Sequence, residues 1–125
     1  MSYGAAQYKR TSIETASKPQ ILIMLYEAAI RHLKRAINAI EKNDLATKGE
    51  AIGKAHDIVN ELINSLNFEV GGDIARDLEA LYNYVIRELL DGNTKNDKKA
   101  LENAKNTLAT LLEGWRGAVK KLSED

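Results

Sequence analysis

Cysteine is absent from this 125-residue chain, which rules out disulfides, zinc ribbons and thiol nucleophiles and fits a reducing compartment. Proline occurs once, at Pro19, and phenylalanine and tryptophan once each. Charge of one sign is missing too: 18 Lys and Arg stand against 18 Asp and Glu, for a formal net charge of +0. A nucleic-acid binder draws most of its affinity from phosphate neutralisation and carries a basic excess, so none is expected to bind here. The longest apolar run, Ile21 to Tyr26, is far too short to span a bilayer. Residues Met1 to Ala16 lack the apolar stretch of a signal peptide. A cytoplasmic protein without membrane insertion is the expectation.

What the chain does have is Ala, Leu, Ile, Glu and Lys, a composition that favours helix over strand. Helix breakers cluster at Glu41-Lys42-Asn43-Asp44, Val70-Gly71-Gly72-Asp73 and Asp91-Gly92-Asn93-Thr94. Three breaks leave four segments of similar length. The first opens on Ser17 and Gln20, which read as a capping box, with Pro19 in the first turn where its missing N–H costs nothing. Its stripe is Leu22, Tyr26, Ala29, Leu33, Ala36 and Ile40. The second segment, capped by Asp44, repeats the pattern with Ile52, Ala55, Val59, Leu62 and Leu66. The third carries Ile74, Leu78, Leu81, Val85 and Leu89, with Gly92 as its terminating residue. The fourth, entered at Asn96 or Asp97, carries Leu101, Ala104, Leu108, Leu111, Trp115, Ala118 and Leu122. Near-heptad stripes suit helices crossing at small angles, and short links force neighbours to run antiparallel. The expected fold is all-α: an antiparallel, up-down-up-down four-helix bundle over residues 17–122. Residues 1–16, with Tyr3, Tyr8 and Ile13, form a separate N-terminal segment.

Candidate chemistry is sparse. Di-iron bundles use Glu-x-x-His pairs, but Ala29 stands three residues before His32 and Gly53 three before His56. Neither histidine is expected to bind a metal. Nor does either have the following basic residue and glycine that suit a phosphotransfer histidine. Gly71-Gly72 is a bare pair and no phosphate loop. Arg31, Lys34, Arg35 and Lys42 on the first helix, and Asp73, Asp77, Glu79, Glu88 and Asp91 on the third, read as complementary solvated faces. Trp115 reads as a core anchor whose indole N–H finds a partner or water. Tyr82 and Tyr84 lie 200° apart on a helix of about 100° per residue, so both cannot face one core, and Tyr84 is expected at a flank.

The informative feature is a surplus. Ile21-Leu22-Ile23-Met24-Leu25-Tyr26 point all round their helix, whereas one bundle stripe needs one side. With Leu22 and Tyr26 on the core, Met24 points nearly opposite, and Ile21, Leu25 and Ala28 fill the sector between. Such a patch marks an interaction site and invites a foreign amphipathic helix, with Met24 supplying an adaptable contact. The chain's own Tyr8 and Ile13 are the other candidates to cover it. Tyr8, Ile13, Ile21, Met24, Leu25, Ala28 and Tyr84 are therefore the candidate binding or lid residues.

The same residues carry a family resemblance. Tyr8, then Thr15-Ala16-Ser17-Lys18-Pro19-Gln20 and the Met24-Leu25-Tyr26 run, resemble the opening of the flagellar secretion chaperones for flagellin. The likeness continues through Lys54-Ala55, Ile58, Gly71-Gly72, Ile74, Leu78, Leu81-Tyr82, Tyr84, Arg87 and Leu89, then Asn93, Asp97 and Trp115. Glu27 stands where the family often has Asp, Asn67-Phe68-Glu69-Val70 is less polar than the family pattern, and Gly114 and Gly117 flank Trp115 inside a helix. The resemblance implies a cytosolic chaperone, not an enzyme and without a cofactor, that binds the disordered C-terminal segment of flagellin and prevents premature polymerisation. It implies a helical bundle, a 1:1 complex of a monomer with its client, and contact with an export-gate component through Tyr8. The alternative from the residues alone is a generic helical adaptor or homo-oligomerising bundle.

Overall fold

The computed structural model describes residues 18–124, which form four helices: α1 (Lys18–Glu41), α2 (Leu45–Asn64), α3 (Phe68–Lys95) and α4 (Lys98–Glu124). Each helix packs on its neighbours in sequence and α4 closes back on α1, so α1 and α3 lie diagonally across the bundle. Ser17 of the expected capping box lies outside the described residues.

The turns are built from local hydrogen bonds. After α1 ends at Glu41, Asn43, with a φ of 57°, lets the Asp44 N–H reach back to the Ala39 carbonyl at 2.8 Å. Asp44 then caps α2 by accepting from the Thr47 N–H at 3.2 Å. Hydrogen bonding from the Thr47 side chain, and then from its backbone N–H, favours the ionised carboxylate and lowers the Asp44 pKa. Asn67 caps α3 through Oδ1, which accepts from the Glu69 and Val70 N–H groups. Asn96, at φ 52° and ψ 40°, ends α3, and Asp97 opens α4 by accepting from the Ala100 N–H. Beside this turn the buried Lys48 ammonium donates to the Asn93 carbonyl at 2.9 Å and to Asn96 Oδ1 at 2.6 Å. A cation at the carbonyl end of a helix is favourably placed, and here it also ties α2 to the α3–α4 turn.

The core holds most of the stripes expected of α1 and α2, namely Tyr26, Ala29, Leu33 and Ala36 with Ile52, Ala55, Val59 and Leu62; it adds Ala51, while Leu22, Ile40 and Leu66 are partly buried against it. Three expectations need correction. On α3 the inward residues are Ala75, Leu78, Tyr82, Val85 and Leu89, while Ile74 is 68% exposed and Leu81 39%. Ala75 and Tyr82 each follow the replaced residue by one position, a rotation of about 100°. The rotation brings the large Tyr82 ring, with a partner for its hydroxyl, into the core. Gly92 does not terminate α3, which runs three residues further. Gly92 is buried where a Cβ would stand 2.3 Å from Leu101 Cδ2, so close helix approach at this point requires glycine. Finally, the α4 stripe leaves the bundle before its end, since Ala118 and Leu122 are exposed. Counted from the α3–α4 turn, Leu122 lies level with Gly71. There α3 is broken by Gly72, whose φ of 52° and ψ of −121° suit glycine alone. Gly114 and Gly117 have open space where a Cβ would be, so packing does not require them.

Candidate functional site

The first turns of α1, the end of α2, the start of α3 and the last turns of α4 meet at one end of the bundle. A groove of about 300 Å³ opens there. Leu22, Leu66, Val70, Ile74, Leu78 and Trp115 supply its apolar lining. Five of the eight exposed large hydrophobic side chains among the described residues lie at this end: Val70 is 86% exposed, Leu122 69% and Met24 38%, joined by Ile74 and Phe68, whereas Leu45, Leu81 and Leu90 lie elsewhere. The Gly72 break sets the wall, because it turns the segment carrying Val70 away from the axis of α3.

Ser65, Asn67 and Tyr82 are the polar residues of the lining, and a tyrosine pair lies beneath it. Tyr82, which lines the groove, is buried with Tyr26 of α1, ring centroids 6.3 Å apart and planes at 52°, and their hydroxyls share a short hydrogen bond across the bundle diagonal. Burial raises both pKa values above their ordinary 10.0. The bond to Tyr82 and the nearby Trp115 indole partly offset this for Tyr26, whereas the shared bond and the Tyr26 charge add to it for Tyr82. Trp115 packs against the core, and its buried Nε1 makes no hydrogen bond of normal geometry to a protein atom among the described residues. Tyr26→Phe or Tyr82→Phe alone orphans a buried hydroxyl and should cost about 1–3 kcal/mol in urea unfolding. The double Phe variant should be close to wild type. With both phenols holding their protons above the ordinary value, the wild type should retain full stability up to about pH 10 and lose it as pH rises further. The double variant should not show that loss.

Of the sequence-derived candidates, Met24 is the exposed member of the α1 set. Ile21, Leu25 and Ala28 are partly buried, and Leu25 packs against the core. All four lie at the groove end of α1, around the helix from Leu22. Tyr84 is partly buried on α3, the helix diagonal to α1. It points away from Tyr82 and so is not brought together with the α1 residues. Tyr8 and Ile13 lie outside the described residues. Sequence reasoning missed Val70, Ile74, Leu78 and Trp115 as groove residues. The apolar character of Phe68 and Val70 in a turn was the available signal.

The histidines serve the surface. Arg35 on α1 pairs with Glu50 on α2 and contacts His32 Nδ1 at 2.9 Å. Partial burial, followed by the charges of Arg35, Lys54 and Arg31, lowers the His32 pKa. His56 Nδ1 lies 3.1 Å from Asn60 Nδ2. Among the described residues no cluster of three or more acidic or histidine side chains is placed to hold a metal, and no helix is long and apolar enough to cross a membrane.

The family model described as flagellar protein FliS matches residues 1–122. This chain belongs to the FliS family of flagellar secretion chaperones. It is 38% identical to the flagellar secretion chaperone FliS of Salmonella typhimurium, over 96% of this chain and 93% of that protein. It is 29% identical to the Bacillus subtilis FliS, over 94% of this chain and 87% of the other. A crystal structure of a bacterial flagellar chaperone shares the fold at a TM-score of 0.78 and 22% identity, covering 94% of this chain and 96% of that one. The FliS family comprises chaperones and not enzymes, in keeping with a site made of apolar side chains. Its four-helix architecture agrees with the four segments expected from the sequence.

Proposed function

We propose that the chain is a cytosolic export chaperone that binds the disordered C-terminal segment of flagellin, prevents its premature polymerisation and delivers it to the flagellar export apparatus. The supporting observation is the apolar groove at one bundle end, on a chain of the FliS family. A segment destined to form helices in a filament has an apolar face that must be covered beforehand, and helix-in-groove contact covers it. In this reading Ile21, Met24, Leu25 and Ala28 extend the groove around α1, and Tyr8 and Ile13 of the N-terminal segment, residues 1–16, contact the client or act as a lid. Tyr84 is an outlying contact, and Tyr8 also engages an export-gate component. The ordering cost of a disordered client keeps affinity moderate for the area covered, so release needs a competing partner or a pull and no nucleotide.

Titration calorimetry with full-length and C-terminally truncated flagellin tests the proposal. One client should bind per chaperone monomer, and the truncated form should give no heat. Equal heats from both forms would reject the assignment. Sedimentation showing a dimer that buries the groove would favour the self-covered adaptor instead.

A further inference from the structure

The zero net charge conceals two unlike halves. α1 and α4, side by side, carry ten Lys and Arg residues against five carboxylates, whereas α2 and α3 carry five against nine. On the basic half a cleft of about 400 Å³ opens between α1 and α4. Ile30, Ala109 and Leu112 provide its apolar lining, and Arg31, Lys34 and Arg116 its cations. Glu27 and Glu113 also line it. Arg116 donates to Glu27 Oε2 at 2.8 Å across the seam, and both side chains are about half exposed. Arg31 and Lys34 form no ion pair among the described residues.

We propose that this cleft docks an acidic amphipathic segment of a protein other than the client. An apolar side chain of that segment would cover Ile30, Ala109 and Leu112 while its carboxylates meet Arg31 and Lys34. A further carboxylate exchanges with Glu27 on Arg116, which is feasible because an exposed ion pair is worth only about 0.2–1 kcal/mol. A peptide fits this lining better than a nucleic acid does. Two carboxylates of the lining would face the phosphates, and the cleft offers no aromatic ring for base stacking. The cleft shares no lining residue with the apolar groove, so the two sites can be filled together. This inference does not depend on the client assignment.

The probe is a fluorescein-labelled helical peptide with leucines at i, i+3, i+4 and i+7 and glutamates elsewhere, followed by fluorescence anisotropy against the full chain. The glutamate peptide should bind and its lysine counterpart should not. Raising salt from about 50 to about 500 mM should weaken binding roughly tenfold. The double variant Arg31→Glu with Lys34→Glu should lose about tenfold or more. Glu27→Gln, which frees Arg116, should tighten binding about two- to fivefold, a gain that misfolding cannot produce. Equal binding of the two peptides, or no response to the charge variants, overturns the proposal. So does duplex DNA binding as tightly as the peptide. Self-association that the double variant abolishes would make the occupant a second copy and would likewise overturn it.

Discussion

Ile74→Asp combined with Val70→Asp should weaken binding of a flagellin C-terminal peptide by about tenfold to a hundredfold while leaving helical content intact, since a few central apolar residues dominate such contacts. Both side chains are largely solvent-exposed, so their removal takes little from the core. Both line the groove, so a carboxylate there must be desolvated when an apolar partner face arrives. Met24→Asp should have a smaller effect, because Met24 stands around α1 from the groove and only extends it. Calorimetry with circular dichroism as the folding control checks all three positions. If Met24→Asp alone abolished binding while the α3 pair did nothing, the client would run over the outer face of α1 and the groove would lose its role. Unchanged affinity in every variant would remove this end of the bundle from consideration.

Gly92→Ala should destabilise the bundle although alanine is the better helix former by about 1 kcal/mol. A Cβ at this position would meet Leu101 Cδ2 at 2.3 Å and Cγ at 2.6 Å, and Leu101 is fully buried, so any shift it makes must displace core neighbours. Overpacking of this kind costs about 1–3 kcal/mol. Leu101→Ala leaves a cavity and should cost about 2–5 kcal/mol. The double variant should recover about 1 kcal/mol or more relative to the sum, because the new methyl group partly fills the space the leucine vacates. Additive losses in chemical denaturation would show that α3 and α4 separate at this contact and do not strain against it.

How much of this was legible in the sequence differs from helix to helix. α1 and α2 each carry one inward stripe, and most of each stripe is in the core. α3 carries two overlapping stripes one residue apart, one through Ile74 and Leu81 and one through Ala75 and Tyr82. Periodicity alone cannot rank them. What separates them is the pairing of the Tyr82 hydroxyl with that of Tyr26, a contact between residues 56 positions apart in the chain. Gly92 had the composition of a helix end but the role of a packing contact, while Asn96 took the left-handed end position that asparagine also tolerates. The apolar surplus at the start of α1 was readable as a surplus. Its connection to Val70, Ile74 and Trp115 was not, because it depends on where Gly72 bends α3 and on how far α4 continues past that bend.

The two ends of the bundle are fastened very differently. At one end the α1–α2 and α3–α4 turns are riveted together by Lys48 on Asn93 and Asn96, and by Lys98 on Glu41 at 3.1 Å. Among the described residues, the opposite end has a single short turn, between α2 and α3, beside the first turn of α1 and the last turn of α4. The molecule therefore resembles a clothes-peg, with a rigid spring at one extremity and jaws at the other. Spreading the jaws to admit or release a cargo would leave the spring untouched, so loading need not unravel the scaffold that carries it.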